Sequence, residues 1–176
     1  SNKVKHKGHR RIEQGEEYFK KINQLPLKNL DPQLDFVVGA IIVSPKKEIF
    51  VQKRSMNREL FSGCWDMVGG HVEKNETLLQ ALSREVFEET GWKLKEITAL
   101  VQEFHWEVQV GQIVTSKIEF DFLVTVEGDL SSPILEKDTH DDCRWINDQD
   151  IEFLKDGRAK EDSYIYSTIK KAFTMI

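Results

Sequence analysis

Residues 70–92 read GHVEKNETLLQALSREVFEETGW and carry the most informative pattern in the 176-residue chain. Apolar residues recur three and four positions apart in this segment, at Leu78, Leu79, Leu82 and Val86. This periodicity predicts an amphipathic helix over residues 77–90. Thr77 and Gln80 have the spacing of a capping box, and Gly91 stands where a helix C-cap is expected. The sequence therefore predicts both ends of the helix as well as its buried face.

Three glutamates, Glu85, Glu88 and Glu89, lie near the carboxyl end of this helix. With about 100° between successive residues, they share one face, away from the apolar stripe. A solvated charged face is the usual explanation of such a run. Here, however, like charges four residues apart cost roughly 0.2–0.5 kcal/mol, and carboxylates at the negative end of the helix dipole cost roughly 0.3–1 kcal/mol each. A divalent cation would offset these costs, and oxygen ligands without Cys or His on that face favour Mg²⁺ or Mn²⁺ over Zn²⁺.

The composition is that of a globular chain and argues against several classes of protein. Of the residues, 39% are hydrophobic and 31% are charged, and 25 basic against 30 acidic residues give a net charge of −5. This balance disfavours a nucleic acid polymer as a partner, because such binding relies on clustered Lys and Arg. The longest apolar run, residues 36–43, is too short to span a bilayer. The two cysteines lack the spacing of a disulfide scaffold or a zinc site, and no signal-peptide pattern is seen, so we expect a soluble cytoplasmic protein without a membrane partner.

Strand patterns precede and follow the predicted helix. They cover residues 36–43, 48–53, 65–68, 97–108, 113–126 and 143–146, and two helices are expected to close the chain. This order predicts an α/β fold in which a mixed β-sheet is sandwiched between helices. In the strand over residues 113–126, apolar residues alternate with Lys117, Glu119 and Asp121, which predicts one buried face and one polar face. Residues 1–35 are expected to form a tail with a short helix, because Ile12, Phe19 and Ile22 have helical spacing, and residues 36–176 are expected to form one domain.

The segment over residues 70–92 resembles the signature of the Nudix (MutT-like) hydrolase family, the Nudix box. That signature is a Gly, five residues, a Glu, seven residues, and then Arg-Glu-apolar-x-Glu-Glu-x-Gly-apolar. This sequence matches it with Gly70, Glu76, Arg84, Glu85, Val86, Glu88, Glu89, Gly91 and Trp92. The chain departs from the family at Val68, where Pro is common, at Asn75, where Gly is usual, and at Trp92, where an aliphatic residue is usual. None of these departures removes a ligand.

The resemblance implies a Nudix α/β/α fold and Mg²⁺-dependent (or Mn²⁺-dependent) hydrolysis of a nucleoside diphosphate linked to another group. Water would attack phosphorus and break a phosphoanhydride bond in a small-molecule nucleotide, with an oxidised nucleoside triphosphate among the candidates. The family pattern assigns the metal to the carboxylates of Glu85, Glu88 and Glu89 and to the backbone carbonyl of Gly69. Arg84 would orient a glutamate during catalysis. The box residues Gly70, Glu76 and Gly91 would support the loop and the helix.

A proton acceptor for the attacking water is expected among the box carboxylates, Glu85 and Glu88 included, or in a distal acidic loop. Family members often place an acid a few residues before a Trp such as Trp145. Asp142 is therefore the leading distal candidate, and Asp141 and Glu136 are the others.

Several residues are candidates for substrate contacts. Arg54 and Arg58 are placed to meet phosphates, although ordinary surface cations are the simpler explanation. Glu161 and Asp162 resemble the acidic pair that reads the purine in Nudix enzymes that clear oxidised purine nucleoside triphosphates. N-capping of the last helix by Asp162 or Ser163 explains the same residues. For His71, which follows the box glycine, packing in the loop is favoured over a metal or phosphate role.

Two other functions remain as alternatives. Residues 61–72 are similar to isopentenyl diphosphate isomerases, but the catalytic Cys of that group would fall near Gly69. A non-catalytic nucleotide-sensing module on the same fold is the second alternative, although such modules typically lose box acids and this chain keeps them. The sequence does not specify the nucleoside diphosphate derivative. Homodimers are common in the family, and the sequence leaves the oligomeric state open.

Overall fold

A computed structural model describes residues 3–9 and 34–176. Its strands are β1 (Lys3–His9), β2 (Leu34–Ile42), β3 (Ile49–Arg54), β4 (Trp65–Asp66), β5 (Val68–His71), β6 (Lys93–Val110), β7 (Ile113–Glu127) and β8 (His140–Ile146). The helices are α1 (Leu78–Thr90) and α2 (Tyr164–Phe173), with a single 3₁₀ turn at Glu152–Lys155. Among the described residues, neither helix has the length and hydrophobicity that crossing a membrane requires.

The strands form two sheets. The larger has the order β1-β6-β7-β2-β5, and the smaller has the order β4-β3-β8. Strands β2 and β7 run parallel, from Leu34 opposite Ser116 to Ile42 opposite Val124, whereas the other pairs are antiparallel. The mixed sheet predicted from the sequence is therefore confirmed.

Two apolar cores lie on opposite faces of strand β2. Val38, Ala40 and Ile42 point to the side of α1, whereas Ile41 points to the side of α2. Helix α1 packs Leu78, Ala81, Leu82 and Val86 into the first core, and helix α2 packs Ile165, Ile169 and Ala172 into the second. Burying such side chains typically stabilises a fold by about 1.5–3 kcal/mol each. The sheets thus lie between helices, and the predicted α/β/α architecture is confirmed.

Helix α1 begins and ends where the sequence predicted. The Oγ1 of Thr77 accepts a hydrogen bond from Gln80 N at 3.1 Å, and the Gln80 side chain returns one from Thr77 N at 2.9 Å. Gly91 adopts a φ of 77°, and its N–H donates to Phe87 O at 2.8 Å. A residue with a Cβ would be strained at this φ, which explains the glycine.

Replacing Thr77 by Ala should lower the free energy of unfolding by about 1 kcal/mol, because the cap acceptor is lost while the N–H of Gln80 stays unpaired. Chemical denaturation would measure the change. Ser83→Ala is the matched control inside the same helix, where Ala has the higher helix propensity and no cap is removed. Equal stabilities for Thr77→Ala and the wild type would show that the cap contributes nothing.

Four elements among the described residues differ from the sequence prediction. Strand β6 begins at Lys93 and strand β8 at His140, both earlier than expected, because β6 pairs along the whole of β7 and β8 extends its pairing with β3 to Arg54. The first of the two closing helices is only the 3₁₀ turn. Residues Lys3–His9, which the sequence placed in a tail, form a strand that pairs with β6. The predicted helix around Ile12, Phe19 and Ile22 lies outside the described residues.

Candidate active site

The carboxyl end of α1 is tied to strand β5 through Glu89. Its side chain is buried, with 5% of the residue exposed, and its Oε2 accepts a hydrogen bond from Gly69 N at 2.7 Å. Only glycine fits at positions 69 and 70. A Cβ on Gly69 would lie 2.3 Å from Val38 O, and one on Gly70 would lie 2.4 Å from Glu85 Oε1. The glycine pair therefore lets two helix carboxylates approach the β5 backbone.

Arg84 connects the box residues. Its guanidinium donates to both oxygens of Glu76, at 2.8 and 2.9 Å, and to Glu85 Oε1 at 2.8 Å. It also reaches Glu88 Oε2 at 3.1 Å and the carbonyl of His71 at 3.0 Å. Glu76 in turn accepts a hydrogen bond from Glu73 N at 2.8 Å. The hydrogen bonds from Arg84 hold the pKa of Glu76 below the usual range. The structure thus brings Arg84 together with three box acids, Glu76, Glu85 and Glu88.

The three glutamates predicted to bind metal differ in their surroundings. The Glu88 side chain is 45% exposed beside Arg84, whereas that of Glu85 is 13% exposed. Burial raises the pKa of Glu85 to about 7 against the opposing effect of Arg84, and burial with the nearby charge of Glu85 raises the pKa of Glu89 well above normal. Both pKa shifts indicate that no neighbouring positive charge fully offsets the burial of these two carboxylates.

Glu136 and His140 complete a group that a cation could occupy. Each of Glu89, Glu136 and His140 places one ligand atom within 4.8 Å of the others. His140 Nε2 lies 3.8 Å from Glu89 Oε1, and burial, followed by the charges of Arg54 and Arg58, lowers the pKa of His140 to about 4. Its imidazole is therefore neutral at pH 7 and has a lone pair available. His140 has no motif spacing in the sequence, and it was missed there.

The structure does not bring Asp142 to this group. Asp142 is exposed on strand β8, and its Oδ1 accepts the N–H of Cys143 at 2.8 Å. Asp141 is exposed as well. Because β8 begins at His140, both acids are part of the strand, while Glu136 lies in the preceding loop beside Glu89. Of the three distal acids considered from the sequence, Glu136 is the one placed at the site.

A cavity of about 350 Å³ opens from this group across the larger sheet. Arg54 and Arg58, the two candidates for phosphate contacts, line it together with Glu89 and His140. Arg54 is also bound to the carbonyl of Leu60 at 3.0 Å and lies 3.7 Å from Asp66.

The acidic pair expected to read a purine is separated. Asp162 lines the cavity but accepts a hydrogen bond from Arg158 at 3.2 Å, whereas Glu161 is exposed and does not line the cavity. Of the two N-cap candidates, Ser163 occupies the N-cap position of α2, although its side chain makes no capping hydrogen bond.

Lys117 is a further cation in the cavity wall that the sequence analysis did not single out. Its Nζ lies 2.7 Å from His71 Nε2 and 2.7 Å from Asp35 Oδ2. Burial and the charge of Lys117 lower the pKa of His71, so the neutral ring accepts a hydrogen bond from the ammonium. His71 therefore positions Lys117, beyond the loop-packing role that the sequence favoured.

The raised pKa of Glu85 predicts a pH-dependent stability for the metal-free protein. A carboxyl whose pKa rises from 4.5 to about 7 on folding stabilises the fold at low pH, and this contribution is lost as pH rises through that window. The lowered pKa of His140 makes its contribution to stability increase with pH, which is the opposite trend. A Glu85 variant is therefore needed to measure the contribution of Glu85 separately. Glu85→Gln in EDTA should match the wild type near pH 4.5 and exceed it at pH 8 by up to about 3 kcal/mol.

Urea denaturation of both proteins at the two pH values would test this, because the His140 contribution is common to them. A stability difference that does not change between the two pH values would contradict the assigned shift.

Comparisons with known proteins agree with this geometry. Residues 34–168 match the family model of the NUDIX domain. This chain therefore belongs to the Nudix hydrolase family, and the resemblance seen in the sequence is confirmed.

Individual relatives vary in how much they share with the chain. Phosphatase NudJ of Escherichia coli K12 is 31% identical over 118 residues, which cover 65% of this chain and 70% of the relative. The m7GpppN-mRNA hydrolase NUDT17 of Xenopus laevis is 35% identical over 86 residues, covering 42% of this chain but only 29% of that protein. A MutT NUDIX hydrolase structure from Burkholderia pseudomallei superposes with a TM-score of 0.60 at 23% identity, over 78% of this chain and 97% of that one. At this identity, the structural similarity supports the fold alone.

Proposed function

We propose that this chain is a Mg²⁺-dependent (or Mn²⁺-dependent) pyrophosphohydrolase that cleaves a phosphoanhydride bond in a small nucleoside diphosphate-linked substrate. One observation carries the proposal: the buried Glu89 carboxylate faces Glu136 and His140 at one end of a cavity of about 350 Å³. The relatives are named a phosphatase and an m7GpppN-mRNA hydrolase, and both names describe phosphate-containing substrates, the second of them a polymer.

The residues at this end of the cavity fit a divalent cation. Glu89 is desolvated beside the Gly69 N–H and a neutral imidazole, with the carboxyl groups of Glu85 and Glu136 nearby, so a cation would offset an unfavourable negative charge. The proposed ligands are the carboxylates of Glu85, Glu88 and Glu89 and the carbonyl of Gly69, with Glu136 as an added candidate. When bound, the ion would polarise a phosphate oxygen and offset charge that develops during the reaction.

The chain's own groups would perform the remaining steps. Arg84 holds Glu85 in place and so positions a carboxylate at the β5 backbone. Arg54, Arg58 and Lys117 would hold the substrate phosphates in the cavity wall. In the reaction, the water oxygen forms a bond to phosphorus, its proton passes to Glu136, and the bond to the bridging oxygen breaks. A phosphate-terminated product leaves on that oxygen.

A substrate panel with Mg²⁺ would test the proposal: 8-oxo-dGTP, nucleoside triphosphates, ADP-ribose, diadenosine polyphosphates, sugar nucleotides and coenzyme A, with products separated by chromatography. Turnover that requires Mg²⁺ and stops in EDTA is the expected result. Tight nucleotide binding without any product would instead support the sensing module, and hydrogen isotope exchange into isopentenyl diphosphate would support the isomerase.

A further inference from the structure

The cavity contains a second group of acids, on strand β7. Glu119 lines the cavity, and Asp121, two positions along the same face of the strand, is fully buried. The hydroxyl of Tyr164 donates to Asp121 Oδ2, while Oδ1 has no hydrogen-bond partner among the described residues. A Cβ on Gly39, a residue of the cavity lining, would collide with that same Oδ1. A fully buried carboxylate oxygen without a hydrogen-bond partner among the described residues therefore lies beside Gly39 of the cavity lining.

Nothing inside the described structure neutralises this pair. Burial raises the pKa of Glu119, and burial together with the Glu119 charge raises that of Asp121, since two adjacent carboxyl groups in a low-dielectric site do not both ionise. The nearby cation, Arg158, is already bound to Asp162 at 3.2 Å and to the carbonyl of Trp65 at 2.7 Å. Of the two, Asp121 is fully buried and Glu119 lines the cavity, so Glu119 is the member that a ligand in the cavity can contact.

The walls beside this pair are aromatic. Phe104 and Trp106 from strand β6 line the cavity next to Glu119, and Phe104 stacks on Tyr164 with ring centroids 4.1 Å apart. A flat ring with donor groups on its edge fits such a site, because its face contacts Trp106 while its edge reaches the acid. The phosphate-binding cations and Glu89 lie along the same cavity.

We propose that Glu119, supported by Asp121 and Tyr164, binds the base of the substrate and selects a guanine-type ring. The inference rests on the proposed function, which sets the direction of the bound nucleotide: its phosphates lie toward Glu89. A carboxylate presents two parallel acceptors, which match the adjacent ring N–H and amino group of guanine. Hypoxanthine lacks the amino group. In adenine and cytosine, the ring nitrogen beside the amino group is a hydrogen-bond acceptor and not a donor. Glu119 therefore favours guanine over all three.

Calorimetric titration with GMP, IMP, AMP and CMP tests this selection without any turnover. We expect the wild type to bind GMP at least about tenfold more tightly than each of the others, since a site built for two donors rejects a ring that lacks one. Glu119→Gln should weaken GMP binding by at least about tenfold and bring GMP and IMP close together. Glu127→Gln, an exposed acid at the end of the same strand, is the matched control and should change neither.

The outcomes separate the inference from the function. Equal binding of GMP and IMP by the wild type overturns the inference, and this comparison needs no variant to fold. A GMP preference that Glu119→Gln leaves intact overturns it as well. Selective GMP binding without hydrolysis in the substrate panel would overturn the proposed function and leave the base site standing.

Discussion

Glu89→Gln is expected to reduce kcat/KM by at least about 100-fold at saturating Mg²⁺ while leaving the metal-free protein at least as stable as the wild type. The loss of activity follows because Glu89 is the buried carboxylate at the centre of the proposed metal site. The retained stability follows because glutamine keeps an oxygen to accept the Gly69 N–H and removes a charge that burial disfavours.

Two measurements separate loss of metal binding from damage to the fold. Thermal unfolding in EDTA should give the variant a melting temperature no lower than that of the wild type. Mg²⁺ should raise the melting temperature of the wild type and not that of Glu89→Gln, because ligand binding to the folded state is what produces the shift. Glu96→Gln, an exposed acid on strand β6, is the control that should keep both activity and the shift. A Glu89→Gln protein with wild-type turnover would show that the assigned site is wrong.

The local part of the site could be predicted because its residues are close in the sequence. Glu76, Arg84 and Glu85 lie on one loop and one helix, and the resemblance to the Nudix box assigned them linked roles. The hydrogen bonds of Arg84 to both glutamates agree with that expectation. The caps of α1 were predictable for the same reason. Each depends on residues within one turn of the helix.

The distal part could not be predicted because it depends on long-range pairing. The alternation along β7 predicted one polar face, yet Asp121 is fully buried and Lys117 is 9% exposed. Tyr164 of helix α2 is bound to Asp121, and the side chains of Asp35 and His71 lie against Lys117. His140 reaches Glu89 through the pairing of β8 with β3, where it lies opposite Arg54. A single sequence carries no period or motif that reports such contacts.

The choice between Glu136 and Asp142 was the point at which sequence and structure disagreed most on chemistry. The spacing to Trp145 favoured Asp142, whereas the structure places Glu136 with Glu89 and leaves Asp142 exposed. The count from Trp145 back to Asp142 stays within strand β8, so it carries no information about the preceding loop, where Glu136 lies beside Glu89. The loop acid Glu136 therefore lies beside Glu89, whereas the strand acid Asp142 is exposed to solvent.

Glu136→Gln is expected to lower kcat by about 10²–10⁴-fold, the usual contribution of a general base, whereas Asp142→Asn should keep the kcat of the wild type. The pair is matched, since each replacement exchanges a carboxylate for an amide of the same shape. Steady-state kinetics across a Mg²⁺ titration would also separate two roles for Glu136. A base lowers kcat at every metal concentration, whereas a ligand shifts the Mg²⁺ concentration that is needed for half-maximal rate. If kcat instead falls only in Asp142→Asn, then Asp142 is the proton acceptor and Glu136 is not.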